Sequence, residues 1–428
     1  MAGEVSTPLE VRVERLGAEG EGIATDAGRA LFVAGGLPGE RVRVRLVEEG
    51  RVRRATLEAI LEESPARREP PCALADRCGG CDWMHLRPGA QVEAKERIVR
   101  EALERIGRVD LARTRILPTA GAGTDTGTRR RAVLHWEAGA LTYYGRRSHR
   151  PVPVAECPAL VPALVSLPGR LAPLLAGAGR ALRDVHLLAE GDAVTLALSV
   201  DGPVRPALRR AATGLVRGEL ARGVVLLPSA GAAEEVGRPV LEAPAPLQAE
   251  VRLRLRADGF VQAHAEGTSQ LVARALELLG PSSGDRALEL YAGSGTFTFA
   301  LAARVAAVVA VESSAVAVSL GAAAGRAARV TNVRWVQGDA ARVADGLVRE
   351  AARFDLILAD PPRTGAPALA RLASALGVQR LVYVGCDAGS LARDAGRLVQ
   401  AGFRFEALQL VDLFPNTHHV EALLLFSR

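Results

Sequence analysis

Lysine is almost missing from this chain. Lys95 is the single lysine among 54 basic residues in a sequence of 428. An arginine- and alanine-rich coding bias accounts for most of that imbalance. It still has a physical consequence, because arginine keeps its charge and binds phosphate through two parallel hydrogen bonds. Long apolar runs are missing as well. The most apolar stretch, residues 297–325, is broken by Arg304 and Glu312, so no run of 18 uncharged apolar residues exists and no membrane span is expected. The opening residues, MAGEVSTPLEVRVERLG, are charged throughout and have no signal-peptide core. The expectation is a soluble, cytoplasmic protein with no membrane partner. Cysteines number five, an odd count that speaks against a disulfide framework. No internal repeat is evident, and aromatic residues make up only 4%.

What is present is ordinary globular material, 49% hydrophobic and 24% charged, which excludes a wholly disordered chain. The length suits two or three domains. The formal charge of +6 is compatible with a nucleic-acid partner. Residues 5–62 hold short alternating runs, 11–17, 29–36, 40–50 and 53–61, separated by Gly-rich turns. That pattern predicts a small β-barrel. Arg41, Arg43 and Arg45 share one face of a strand and the valines share the other. Residues 41–54 carry six Arg against two Glu, which reads equally as a solvated face or a phosphate-tracking surface.

Residues 64–90 lose periodicity and carry a cysteine cluster. Residues 91–108 predict an amphipathic helix with Ile98, Ala102, Leu103 and Ile106 on one face. Residues 113–150 hold eight Arg against Asp125 and Glu137, interleaved with Trp136, Tyr143 and Tyr144. That mixture suits backbone contact and base stacking. Residues 150–250 read as α+β. The expected domains are 1–63, a barrel; 64–250, a central α+β domain with the cysteine cluster, whose helix 91–112 packs on the next domain; and 251–428.

From residue 268 the pattern becomes a βαβ alternation, a doubly wound and mostly parallel sheet. Strands are expected at 285–291, 305–312, 333–339, 354–360, 379–385 and 420–426. In ELYAGSGTFTFALA (289–302) Gly293 and Gly295 form a tight turn between a strand and a helix. Glu312, 17 residues after Gly295, ends the second strand and is placed to accept ribose hydroxyls. Asp339 ends the third strand, and Asp360 the fourth. Strand-end solvation or helix capping is the competing reading of Glu312 and Asp339. The third glycine of a dinucleotide motif is lacking, and the turn resembles the S-adenosylmethionine-binding fold.

Cys386 falls at a strand-to-helix junction, where amide N–H groups and a helix N-terminus favour thiolate. Glu421 stands beside an apolar strand, solvated or held for proton work. His418 and His419 read as loop histidines. Cys72, Cys78, Cys81 and Cys157 offer four thiolates suited to zinc or an iron–sulfur cluster. Spacing alone does not choose between these, and zinc is the better blind assignment.

An ordered set of motifs then points to a family. Asp360-Pro361-Pro362-Arg363-Thr364-Gly365, Val382-Tyr383-Val384-Gly385-Cys386-Asp387 and Thr417-His418-His419-Val420-Glu421-Ala422 follow the Gly-rich turn. Together they resemble the RNA (uracil-5-)-methyltransferase family over residues 258–428. The resemblance implies that Cys386 is the nucleophile and Glu421 the proton-abstracting base. It places Phe260, Gln262 and Asp360 at the target base. Gln262, Tyr291, Gly293, Gly295, Glu312, Asp339 and Asp360 become the candidate contacts to S-adenosylmethionine. Gly385, Asp387 and Ala388 depart from the family's Ser-Cys-Asn-Pro pattern, and His264 stands where Asn is common.

The cysteine spacing resembles the branch acting on 23S ribosomal RNA, which implies a [4Fe–4S] cluster on Cys72, Cys78, Cys81 and Cys157. Residues 17–24 and 37–46 resemble a TRAM domain, an OB-like RNA-binding barrel. The expected function is S-adenosylmethionine-dependent methylation of uridine C5, with 23S rRNA favoured over tRNA as the RNA partner. The alternatives are the same chemistry on tRNA, an adenine amino-methyltransferase, cytosine-C5 methylation, or a non-catalytic RNA-binding protein retaining the fold. A self-contained chain of three domains suits a monomer.

Overall fold

The computed structural model describes residues 8–48, 51–121 and 125–428. Residues 1–7, and the last two residues of the run expected at 40–50, lie outside that description. The chain divides into two compact units. The first holds the described residues up to Glu101, with Tyr144–Arg150 and Phe414–His419; the second holds Ala102–Tyr143, Pro151–Leu413 and Val420–Arg428.

The first unit opens with strands β1 (Leu9–Leu16), β2 (Gly22–Asp26), β3 (Arg29–Ala34), β4 (Arg41–Glu48) and β5 (Arg53–Glu62). They close into a barrel in the order β1-β2-β3-β5-β4. β2 is an addition to the four runs expected. Alternation supplies the core, because Val11, Val13, Leu31, Val33, Val42 and Val44 point inward together. The outward arginines of β4 are paired within the barrel. Arg41 reaches Glu10 and Glu62, Arg43 reaches Glu10, and Arg45 reaches Glu58. This face is therefore charge-balanced rather than a bare cationic track.

Helix α1 (Pro88–Ala102) is followed by one π-helical turn, Leu103–Gly107. Ile98, Ala102 and Leu103 are buried as the period predicts, but Ile106 is 50% exposed. A π turn inserts extra residues per revolution, so it carries Ile106 off the apolar face. The same turn packs on a later helix of the second unit. A side-chain atom added at Gly107 would collide with the carbonyl of Ala392, which requires glycine there.

The second unit contains two sheets. β6 (Arg115–Ile116) belongs to the larger one. β7 (Arg131–Glu137), β8 (Ala140–Tyr144), β9 (Pro151–Pro153), β10 (Leu182–Glu190), β11 (Ala193–Val200), β12 (Gly223–Pro228) and β13 (Glu234–Gly237) form a seven-stranded sheet ordered β13-β12-β11-β10-β7-β8-β9. Helices α2 (Leu167–Leu175) and α3 (Pro206–Arg217) accompany it. Trp136 lies on β7 and is only 9% exposed, and Arg130 is buried against Glu190. That corrects the expectation of a stacking surface at these two residues: the strand alternation turns Trp136 into the core.

A hairpin of β14 (Val240–Ala245) and β15 (Gln248–Arg256) follows, and the boundary expected at residue 250 falls inside it. Leu241, Leu253 and Leu255 of this hairpin share one apolar cluster with Leu188, Val225 and Phe299. The hairpin thereby joins the seven-stranded sheet to the last one.

The remaining elements are α4 (Ala265–Leu279), β16 (Arg286–Leu290), α5 (Thr298–Ala302), β17 (Ala307–Glu312), α6 (Ala315–Ala327), β18 (Val333–Gln337), α7 (Ala340–Arg349), β19 (Leu356–Ala359), α8 (Leu369–Ala375), β20 (Arg380–Gly385), α9 (Ala388–Gln400), β21 (Arg404–Leu410) and β22 (Ala422–Ser427). Eight strands order as β18-β17-β16-β19-β20-β22-β21-β6. The first five run parallel, and β22 enters antiparallel between β20 and β21. The strand order reverses beside β16, which opens the crevice where α/β sheets bind ligands. β21 was not among the strands expected. Among the described residues no helix is long and apolar enough to cross a membrane.

The first unit also carries a test of pH dependence. His85 is buried beside Arg67, Arg68 and Arg146, and its Nε2 has no hydrogen-bond partner. Burial first, and then these positive charges, push its pKa down to about 3. An unfolded histidine titrates near 6.5, so below that pH the unfolded chain takes up a proton that the folded one refuses. Stability falls by about 1.4 kcal/mol per pH unit from roughly 6.5 downward. Urea midpoints measured from pH 7 to pH 5 should fall less steeply in His85→Gln than in the parent. Equal slopes would exclude this assignment.

Candidate functional site

The site grows from strand ends. β16 stops at Leu290, and Tyr291 takes a left-handed conformation, φ 65°, that non-glycine residues rarely adopt. Such strain marks positions where the chain is held for a purpose. Gly293 and Gly295 complete the turn with φ of 57° and 107°. A side chain at Gly295 would run into the Phe299 ring, whereas nothing lies within 4 Å of one placed on Gly293. The turn is thus tight on its inner side and open above Gly293.

Glu312 organises this turn. Its Oε2 accepts the Gly293 amide at 3.0 Å, and its Oε1 accepts Ser314 N at 2.8 Å and Ser313 Oγ at 3.1 Å. Asp339 caps α7, accepting Arg342 N at 3.0 Å. Helix capping, the competing reading for Asp339, is therefore one of its roles. A cavity of about 200 Å³ opens between Ser294 and Thr296 of the turn and Phe260, with Arg130 and Ser269 on its wall. Phe260 is 68% exposed, as suits a ring that meets a flat ligand.

Gln262 points the other way, into the protein. Its Nε2 donates to Asp360 Oδ2 at 3.5 Å. Arg130 steadies this segment: its Nε donates to the Gln262 carbonyl at 3.1 Å and its amide to the Ala263 carbonyl at 2.8 Å. His264 ends the segment as the N-cap of α4, with Nδ1 accepting Gly267 N at 3.1 Å. Asparagine caps helices in the same way, which gives the departure at His264 a structural reason.

Three groups converge electrostatically at the carboxyl ends of β19 and β20. Burial pushes the Asp360 carboxyl up to about 7, with the Gln262 amide working the other way. Glu421 is 3% exposed, its Oε1 has no hydrogen-bond partner, and burial with the Asp360 charge holds its pKa well above the carboxylate range. Burial, then Glu421 and Asp360, push the Cys386 thiol up to about 12, while Arg363 acts in the opposite direction. The expectation that the junction favours thiolate is corrected here. The end of α9 is already occupied, because Asp387 caps it by accepting Ser390 N at 2.8 Å. Two further carboxyl groups face the thiol.

Asp387 stands where the resembled family has asparagine, and its negative charge also raises the thiol. Asp387→Asn keeps the cap and removes that charge. Alkylation of Cys386 by iodoacetamide at pH 8 should become about twofold to fivefold faster. An unchanged or slower rate would refute that contribution.

One acid escaped the sequence reading. Glu289 is fully buried in β16, and burial pushes it up to about 8, with the Thr298 hydroxyl working the other way. Its only signal was a carboxylate inside the apolar run Leu288–Leu290. Asn416 escaped too. It is buried with φ 66°, and its Oδ1 accepts Arg68 Nη2 at 2.8 Å and Gln91 Nε2 at 3.2 Å. His418, read as a loop residue, pairs with Asp82 at 2.6 Å. These bonds anchor Phe414–His419 within the first unit, just ahead of Glu421.

Cys72, Cys78 and Cys81 lie in the first unit and Cys157 in the second. All five cysteines are half-buried thiols outside any disulfide. Cys72 Sγ accepts Leu74 N, and Cys78 Sγ accepts Gly80 N, each at 3.4 Å. Amide N–H groups aimed at sulfur suit thiolate ligands. Among the described residues, no group of three or more His, Cys, Asp or Glu side chains is gathered as a metal-holding set.

Comparison with known proteins follows these lines. The profile of the tRNA (uracil-5-)-methyltransferase family matches residues 245–428, and that of the TRAM domain matches residues 4–61, over the barrel. The chain is 33% identical over 446 residues to the 23S rRNA (uracil(1939)-C(5))-methyltransferase RlmD of Pseudomonas aeruginosa, covering 99% of this chain and 95% of the relative. It is 36% identical to the protein of that name from Chromohalobacter salexigens, covering 97% of this chain and 88% of the relative. The Alkalilimnicola ehrlichii relative is 35% identical, with 98% and 97% covered. Among solved structures, the Pyrococcus abyssi tRNA (uracil-54, C5)-methyltransferase in complex with S-adenosyl-L-homocysteine matches with a TM-score of 0.74, covering 98% of this chain and 100% of that one. Sequence identity to it is 20%, so that likeness is one of fold.

Proposed function

The chain belongs to the RNA (uracil-5-)-methyltransferase family, and we propose that it methylates C5 of a uridine in 23S ribosomal RNA. The observation that carries the chemistry is one thiol, Cys386, facing two buried carboxyl groups at the carboxyl edge of the sheet. Full-length similarity to 23S rRNA enzymes supports the choice of RNA.

Uracil C5 is a weak nucleophile. Cys386 first gives its thiol proton to solvent; addition of the thiolate sulfur to C6 then forms an S–C6 bond and moves the electron pair of the C5–C6 double bond toward C5, as an enolate. C5 then takes the methyl group. Glu421 removes the C5 proton, and the electrons of that C–H bond reform the double bond and expel Cys386 as thiolate. Gln262 and Asp360 lie beside each other where donors for the uracil edge are needed. The base must leave any stack to reach them, and the exposed ring of Phe260 is the stacking partner proposed for it.

S-adenosylmethionine, when bound, supplies an electrophilic methyl group. The open space over Gly293 and the carboxylate of Glu312 fit such a ligand, with Gln262, Tyr291, Gly295, Asp339 and Asp360 as the other candidate contacts. We propose a [4Fe–4S] cluster with a structural role on Cys72, Cys78, Cys81 and Cys157, supported by their thiol chemistry and by the amides that donate to the Cys72 and Cys78 sulfurs; the uracil chemistry needs no electron. Iron and acid-labile sulfide near four per chain, lost in Cys78→Ser, is the expected composition. Zinc without sulfide would replace it. A cytoplasmic location is proposed together with the rRNA-modifying reading.

The test uses purified protein, S-adenosylmethionine and unmodified 23S and tRNA transcripts, with nucleosides read by mass spectrometry. New 5-methyluridine in 23S RNA alone is the expected result. The same product in tRNA alone would overturn the substrate. A methylated adenine or cytosine would overturn the chemistry. A bound RNA with no product in any transcript would favour a non-catalytic binding protein.

A further inference from the structure

Asp394 lies in the middle of α9, eight residues after Cys386, and is 3% exposed. A buried carboxylate is costly unless donors meet it. Three do, from three segments of the second unit. Ala366 N donates to Oδ2 at 2.6 Å, the Tyr383 hydroxyl donates to Oδ2 at 3.0 Å, and Arg397 Nη1 donates to Oδ1 at 2.6 Å.

Two of these donors belong to segments that carry the site. Ala366 closes the loop that holds Asp360 and Arg363. Tyr383 lies on β20, three residues ahead of Cys386. The loop reaches Asp394 only because residue 365 is glycine. Its φ is 81°, and a Cβ there would come under 3.0 Å from Asp394 Oδ2. Gly365 N also donates to the Pro362 carbonyl at 2.8 Å, which tightens the turn just past Arg363. On the other side, a side chain at Gly385 would meet Leu391 and the Tyr383 ring. Burial and the neighbouring Asp394 charge push the Tyr383 hydroxyl upward, so the phenol keeps its proton as a donor.

We propose that Asp394 is a positioning residue, setting the Asp360–Arg363 loop against Cys386 with the Tyr383 hydroxyl as its second arm. It touches no reacting atom and acts through its two donors. The role rests on the uracil-methylation reading, since it is for that chemistry that the carboxyl, guanidinium and thiol must hold their spacing. A misplacement of about 1 Å in such a site costs on the order of a hundredfold in rate. Asparagine can still present one oxygen to Ala366 N and the phenol; alanine leaves both buried donors without an acceptor.

The test compares full-length parent, Asp394→Ala, Asp394→Asn and Tyr383→Phe, with thermal melting to normalise for folded protein. In Asp394→Ala, kcat should fall about a hundredfold while KM for S-adenosylmethionine stays within about threefold. Asp394→Asn should stay within about tenfold of the parent. The pH profile of Cys386 alkylation should move in Asp394→Ala and in Tyr383→Phe, because the charges facing the thiol are repositioned. A merely structural role would leave kcat per folded molecule and the thiol profile unchanged, and that result would overturn the proposal. Should Asp394→Ala fail to fold, a thiol profile in Tyr383→Phe that coincides with the parent's would overturn it instead. Should the parent yield no 5-methyluridine, the functional reading fails on its own and the thiol profiles still decide Asp394.

Discussion

Cys386→Ala should lose 5-methyluridine formation by roughly ten-thousandfold or more, and should form no covalent complex with RNA containing 5-fluorouridine. The size follows from the chemistry. Without a sulfur at C6 no electron pair is delivered to C5. The free enzyme holds this thiol protonated, pushed up to about 12 by burial and by Glu421 and Asp360. The thiolate fraction then rises about tenfold per pH unit through neutrality. The rate of adduct formation in the parent should climb with pH from 7 to 9 for the same reason. Binding of RNA should survive the substitution. Product formation by the alanine variant within tenfold of the parent would remove Cys386 from the mechanism, as would a flat pH profile for adduct formation.

Glu421→Gln should produce the opposite signature, accumulation of a methylated protein–RNA adduct with turnover reduced about a hundredfold to ten-thousandfold. The amide has nearly the same volume, so packing around the buried site is retained. Addition and methyl transfer precede the step that needs the base, and elimination of Cys386 cannot proceed while C5 keeps its proton. A carboxylate whose proton affinity is raised by burial and by Asp360 is a stronger base than a solvated one, which is what a C–H proton demands. The adduct should appear on denaturing gels with natural substrate RNA, without 5-fluorouridine. Loss of activity with no adduct would place Glu421 before the addition step. Unimpaired turnover would exclude it as the base.

Both predictions use residues that the sequence already singled out, and the legible part of this protein has a common character. The period-two alternation of Arg and Val in residues 41–46 placed Val42 and Val44 in the barrel core. The GxG turn after an apolar strand placed Gly293 and Gly295, and the strand-to-helix junction placed Cys386. Each of these is written within about ten consecutive residues, the range over which local geometry repeats. The π turn after α1 broke that rule for Ile106, since a single inserted residue shifts every later side chain around the axis.

The sequence by itself determined the fold class and the barrel, and it singled out the two residues we propose as nucleophile and base. Tertiary structure alone decided their electrostatics and their support. The thiol is raised rather than lowered because the closed fold buries it and sets Glu421 and Asp360, 35 and 26 residues from Cys386 in the chain, against it. The barrel arginines are balanced because Glu10, Glu58 and Glu62 arrive from other strands. Asn416 meets Arg68 across 348 residues, and Asp394 gathers donors from a loop and a strand outside its own helix. Burial and hydrogen-bond partnership are properties of residues brought together in space. A local period records which face a side chain takes, and only the closed fold settles what stands opposite it.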